Sequence, residues 1–149
     1  MESVTFTGRQ FRLVLGVGAY EFEEATNFDD KNWLTGSVEL EVGSSTDGVI
    51  QKTSSVFWVT TELADFEREL HAALEMQKSR TAGRAELATL EDEVELQIMV
   101  RLDEATISGR VEQHSIASVT FGETPTTAHE LERALAQLGQ ITAAFPVRH

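Results

Sequence analysis

The stretch VELQIMVRLD at residues 94–103 decides the fold class of this chain. Apolar side chains occupy every second position, which is the period of a β-strand with one buried and one solvated face. Strands of this kind are typical of antiparallel sheets that cover a core on one side only. The stretch therefore predicts a half-buried strand, with these side chains toward the core: Val94, Leu96, Ile98, Val100 and Leu102.

The same alternation recurs along the chain and predicts further strands. It is present at residues 11–17 and 38–42, and a longer apolar stretch covers residues 49–60. Shorter alternating pairs are Ile107 with Val111 and Val119 with Phe121. Residues 43–48 are rich in Gly and Ser and predict a hairpin loop, while residues 5–11 allow a tight turn after a short first strand.

Two segments have a period of 3.6 residues instead and predict helices. Residues 61–76 place an apolar stripe on one face. Residues 127–145 begin with a capping box from Thr127 to Glu130, and Pro146 ends them. We expect an α+β fold with two layers, in which a mostly antiparallel sheet of about six or seven strands carries both helices on one face. A chain of 149 residues fits a single domain, residues 1–149.

Composition restricts the cellular setting. The chain has no cysteine, which excludes disulfides and thiolate metal sites and suits a reducing compartment. No apolar run approaches the ~20 residues that a membrane-spanning helix needs, and the first residues lack the pattern of a signal peptide. These features predict a cytoplasmic protein without a membrane partner.

The negative charge is concentrated in two stretches. The chain carries 12 Lys and Arg against 25 Asp and Glu, a net charge of −13. Residues 21–47 hold eight acids and one base, and residues 86–104 hold seven acids and one base, so these stretches contribute −7 and −6. Such a surface repels nucleic acids and anionic lipid, so we expect neither as a partner. Clustered acids attract basic proteins instead.

The predicted topology brings the acidic turns of both stretches to one end of the sheet. If each element crosses the full height of the sheet, the turn at residues 91–93 lies beside the loop at residues 21–31. Aromatic side chains accompany the loop acids, and a mixture of aromatic and acidic groups suits contact with a basic protein. The candidate partner-binding residues are Glu21, Phe22, Glu23, Glu24, Phe28, Asp29, Asp30, Glu91, Asp92 and Glu93.

Catalysis, metal binding and cofactor binding have little support. Residues 27–30 lack the central Gly and terminal Glu of an EF-hand loop, and the four histidines lack metal-ligand spacing. Residues 16–20 lack the third Gly of a dinucleotide-binding turn. No Gly-x-Ser-x-Gly motif is present. We therefore expect a protein that is not an enzyme and has no cofactor or metal.

Four short segments resemble a known family in order along nearly the whole chain. They are GAYEF at residues 18–22, DKNWL at 30–34, WVTTEL at 58–63 and FPVR at 145–148. The pattern is similar to that of the WapI-like bacterial immunity proteins and their uncharacterised relatives. This resemblance implies a small cytosolic antitoxin that binds the toxin domain of a polymorphic or contact-dependent secreted protein, often a nuclease, and blocks it without chemistry of its own.

Charge and resemblance agree, because a nuclease presents a basic surface that an acidic partner can occupy. A second interpretation stays open at this point. The chain could be a structural or homodimeric interaction module that pairs its sheets or strand edges, with acidity serving only solubility. A hydrolase that uses the clustered carboxylates is a third.

Overall fold

A computed structural model describes residues 2–44, 48–91, 93–113 and 117–149 of the chain. Eight strands and three helices follow one another along these residues. In chain order they are β1 (Glu2–Gly8), β2 (Phe11–Tyr20), α1 (Phe28–Lys31), β3 (Trp33–Ser44), β4 (Gly48–Val59), α2 (Thr60–Lys78), β5 (Gly83–Ala88), β6 (Val94–Val100), β7 (Ala105–Gln113), β8 (Ala117–Thr126) and α3 (Ala128–Ala144).

The strands form two four-stranded antiparallel sheets. The first sheet has the order β1-β2-β3-β4 and the second the order β5-β6-β7-β8, so each strand pairs with its neighbour in the chain. The inward faces of both sheets and the apolar stripes of α2 and α3 contribute to one buried cluster. Phe11 of β2 and Phe121 of β8 pack with ring centroids 5.0 Å apart, which joins the two sheets within the core.

The α+β class is confirmed, but a single sheet of six or seven strands is wrong. Period-two alternation shows which side of a strand is buried and does not show which strands pair. After α2 the chain starts a new sheet, whose first strand β5 packs against α2. The helices also do not share one sheet: α2 packs mainly on β5, and α3 packs on the edge strand β1.

The α3 helix covers the outer edge of β1. The side-chain oxygen of Gln137 accepts a hydrogen bond from the backbone N–H of Thr5 at 2.8 Å. Thr127 caps the helix through a 3.1 Å bond from the N–H of Glu130, as the capping box predicts. An exposed strand edge invites pairing with other chains, and this contact removes part of that risk.

Trp58 anchors the core near the end of the first sheet. Its indole is fully buried, and its N–H donates to the carbonyl of Gly16, two strands away, at 2.9 Å. The indole passes over Gly36, where any Cβ would overlap Trp58 and the Gly16 carbonyl. Only glycine at position 36 therefore allows Trp58 to reach its partner.

Strand β6 is shorter than the predicted residues 94–103. It ends at Val100, because the N–H of Arg101 donates to the carbonyl of Glu104 at 2.8 Å and closes a turn. Leu102 is consequently 61% exposed and does not reach the core. The alternation of apolar and polar residues in the sequence therefore extends beyond the end of the strand, to Leu102.

Candidate functional site

The loop between β2 and β3 carries most of the predicted partner-binding residues. All of Glu21, Phe22, Glu23 and Glu24 are exposed there. The loop then forms the single turn of α1, where Asn27 accepts a hydrogen bond from the N–H of Asp30 at 2.8 Å. Phe28, Asp29 and Asp30 are all exposed in this turn.

Asn32 fixes the loop to the body of the protein. It is fully buried, and its side-chain amide makes four hydrogen bonds. The nitrogen Nδ2 donates to the carbonyls of Phe28 at 2.7 Å and Arg148 at 2.8 Å, while Oδ1 accepts from the Thr60 hydroxyl at 2.6 Å and from the Arg148 N–H at 2.8 Å. The hydrogen-bonding capacity of the amide is therefore fully used.

Residues 145–149 lie along the inner side of the same loop. The guanidinium of Arg148 donates to the carbonyl of Glu23 at 3.0 Å and stacks over the ring of Tyr20, 4.7 Å from its centroid. The Tyr20 hydroxyl donates to the carbonyl of Pro146 at 2.7 Å. Phe28 lies next to His149, with ring centroids 6.2 Å apart. The acidic loop is therefore held by residues 145–149, which are distant from it in sequence.

The turn between β5 and β6 carries the remaining predicted residues. The buried hydroxyl of Thr89 accepts hydrogen bonds from the N–H groups of Glu93 and Val94, both at 3.1 Å, and this shapes the turn. Glu91 is exposed and Glu93 is half-buried. Asp92, which we also predicted to bind the partner, lies outside the described residues.

Glu62 ties this turn to the start of α2. Its carboxylate accepts from the N–H of Val59 at 3.1 Å and from the N–H of Leu90 at 2.7 Å. Burial raises the pKa of the Glu62 carboxyl above its ordinary value, and the two hydrogen bonds oppose that shift in part.

The structure brings the loop and the turn to the same end of the first sheet. The Glu93 carboxylate accepts from the N–H of Phe57 on β4 at 3.3 Å. Phe57 packs edge to face on Trp33, with centroids 6.3 Å apart, and the Trp33 carbonyl accepts from the N–H of Glu21 at 2.9 Å. We call the described acids at this end the acidic surface: Glu21, Glu23, Glu24, Asp29, Asp30, Glu91 and Glu93.

The acidic surface differs from the rest of the molecule in its ion pairing. Eight ion pairs join described residues, and none includes a member of the acidic surface. Elsewhere in the second charged stretch, Glu86, Glu95 and Glu104 have ion-pair partners, for example Arg110 at 3.4 Å from Glu95 and Arg101 at 3.4 Å from Glu104. Seven acids without an ion pair are thus grouped at one end of the fold, where Lys31 and Arg148 are cations of the same region.

Sequence reasoning missed several residues of this region. Asn32 resembles an ordinary loop residue, and nothing local signals that its amide is buried. Phe57 and Leu90 were not among the candidates, although both are exposed. The Phe57 N–H donates to Glu93, and Leu90 lies in the same turn as Glu93. One signal was available for Phe57, because the apolar run at residues 56–59 interrupts the alternation and places one large side chain on the outer face.

Other surfaces offer little reactive chemistry. A shallow groove of about 440 Å³ lies on the second sheet. Its charged groups are already paired, Glu86 with Arg84 and Arg110 with Glu95 and Glu112. Within the described part of the chain, no group of three or more acids or histidines is arranged to hold a metal ion. No described helix is both long and apolar enough to cross a membrane.

Comparison with known proteins identifies the family. No curated protein and no solved structure matches the chain significantly. A model of the immunity protein WapI-like family matches residues 5–146, which cover both sheets, both long helices and the acidic surface. This match confirms the resemblance found in the four sequence segments. The chain belongs to the immunity protein WapI-like family.

Proposed function

We propose that this protein is a cytosolic immunity protein that neutralises a cognate secreted toxin domain by binding it through the acidic surface, without chemistry of its own. The observation that carries the proposal is the family match over nearly the whole chain. The partner in this proposal is a basic domain such as a nuclease, whose phosphate-binding surface the immunity protein would cover.

The charge distribution supports a binding role for this end of the fold. Unpaired acids attract a basic partner over a distance and raise the association rate. Asn32 and Arg148 hold the loop in place before binding, so little conformational entropy is lost when the partner arrives. A preformed surface of this kind suits a stoichiometric inhibitor.

The test measures association with a candidate toxin domain, taken from a large secreted protein encoded beside the gene for this chain. Glu21 and Glu24 are replaced by Lys. Both are exposed, and neither side chain forms a hydrogen bond within the described residues. The matched control replaces Asp103 and Glu132 by Lys. Both residues are exposed outside the acidic surface, so the control changes the net charge by the same amount. At low salt we expect the first variant to associate about 10-fold more slowly than the control.

Two outcomes would contradict the proposal at different levels. If the wild-type protein neither binds nor inhibits the toxin domain, the immunity function is wrong for this pair. If it binds, but both variants associate at the same rate with the same dependence on salt, the acidic surface does not steer the partner.

A further inference from the structure

Large exposed apolar side chains are concentrated at the acidic surface. Six such side chains occur among the described residues, and four of them lie at this end: Phe22, Phe28, Phe57 and Leu90. The other two, Met76 and Leu102, lie at the far end of α2 and in the β6–β7 turn. Scattered exposed apolar residues are ordinary on a protein surface, whereas several together mark an interaction site.

Phe57 lies on the outward face of the first sheet, where Trp33 and Val59 form the neighbouring cross-strand pair. Toward the middle of the sheet its outward-facing neighbours are polar, with Ser55 on β4 and Thr35 opposite it on β3. The ring is 39% exposed, and Trp33 supports it from one side. On the other side, Glu93 accepts from the Phe57 N–H, and the same turn presents Leu90, which is 70% exposed. We call Trp33, Phe57 and Leu90 the apolar strip.

The strip has acids on both sides. The loop that carries Glu21 joins Trp33 through a backbone hydrogen bond, and the turn that carries Glu91 and Glu93 follows Leu90. Protein interfaces commonly have an apolar centre that loses its water and a charged margin that stays partly solvated. A cluster of acids alone would supply only the margin.

We propose that the apolar strip is the centre of the contact with the basic toxin domain, and that the acidic surface is the margin around it. This inference rests on the proposed function and specifies where its binding energy arises. The partner is a basic protein domain with an apolar side chain among its cations, because the surface offers it carboxylates without ion pairs beside exposed apolar side chains. In this arrangement the acids govern the association rate and the strip governs the dissociation rate.

The experiment compares substitutions in the strip with a matched substitution elsewhere. Phe57→Ser and Leu90→Ser are made separately, and Leu102→Ser, also in an exposed turn, is the control. Binding to the same adjacent toxin domain is followed by biolayer interferometry at two salt concentrations. We expect Phe57→Ser to raise Kd at least about 10-fold through faster dissociation, with an unchanged salt dependence. Leu90→Ser should act in the same direction, and Leu102→Ser should have no effect.

Leu90→Ser tests the strip even if Phe57→Ser fails to fold. The Leu90 side chain is mostly exposed, so its replacement leaves the core intact. The inference fails if wild-type protein binds the toxin domain and both strip variants bind as the control does. It also fails if wild-type protein is a dimer that Phe57→Ser makes monomeric, because the strip would then pair two copies. Absence of any wild-type binding instead contradicts the proposed function, and with it the inference.

Discussion

Asn32 and Arg148, which are 116 residues apart in sequence, exchange two hydrogen bonds of 2.8 Å. The Asn32 amide donates to the Arg148 carbonyl, and the Arg148 N–H donates back to the Asn32 oxygen. This pair acts like one step of an antiparallel ladder between a side chain and a backbone. It fixes the path of residues 145–149 relative to the acidic loop.

Replacing Asn32 by Ala should destabilise the protein by about 3 kcal/mol, because the buried hydroxyl of Thr60 and part-buried backbone groups of Phe28 and Arg148 lose their partners. Chemical denaturation measures the change in the free energy of unfolding. Asn27→Ala is the comparison, since it removes an exposed helix cap and should cost about 1 kcal/mol or less. Equal losses for the two variants would contradict the role assigned to Asn32.

Replacing Arg148 by Gln should loosen the acidic loop with little effect on global stability. The guanidinium contacts the carbonyls of Lys31 and Glu23 and the ring of Tyr20. Losing these contacts should raise amide hydrogen exchange in the loop about tenfold. Arg133→Gln is the control, because Arg133 pairs only with Glu130 among the ion pairs of the described residues. Unchanged exchange in the loop would show that Arg148 does not restrain it.

Replacing Gly36 by Ala should cost about 2–4 kcal/mol, because the added methyl displaces Trp58 and breaks its buried hydrogen bond to Gly16. The matched control is Gly122→Ala on β8, where an added Cβ meets nothing within 4 Å. That variant should lie within about 0.5 kcal/mol of the wild type. Denaturation followed by circular dichroism measures stability, and tryptophan fluorescence in a Trp33→Phe background reports the environment of Trp58.

The pH dependence of stability should reveal the raised pKa of the Glu62 carboxyl. Because burial raises the pKa of Glu62 above 4.5, the folded protein binds its proton more tightly than the unfolded chain does. The resulting stabilisation is complete below pH 4.5 and is lost as the pH rises through the folded pKa. Glu62→Gln lacks this titration.

The stability advantage of the wild type over Glu62→Gln should therefore fall as the pH rises above 4.5 and through the folded pKa of Glu62. Urea unfolding of both proteins across this range measures the difference. A constant or increasing advantage would mean that the two backbone hydrogen bonds from Val59 and Leu90 outweigh burial.

Local signals predicted the elements well. Thr127 and Glu130 indicated the start of α3, and the apolar stripe of residues 61–76 matches α2 at Thr60–Lys78. Both signals act within one helical turn, so they can be read without knowing the tertiary structure. Alternation at residues 94–100 likewise matches the burial of β6.

Signals that depend on distant partners could not be read. The division into two sheets depends on which strands pair, and no single strand records this. Asn32 becomes buried only because segments near Phe28, Thr60 and Arg148 converge on it. The acidic loop and turn could be placed at one end from the alternating direction of the strands, but their proposed binding role is still a prediction.

The carboxylates of Glu62 and Glu93 occupy the N–H groups of Val59 and Phe57 at the outer edge of β4. Glu93 thus has two effects, since it adds negative charge to the surface and also closes a strand edge that could otherwise recruit another strand. Reversing its charge would weaken attraction to a basic partner and at the same time expose a template for self-association. Weaker toxin neutralisation by such a variant could therefore arise from lost recognition or from self-association. Sedimentation analysis would separate the two causes.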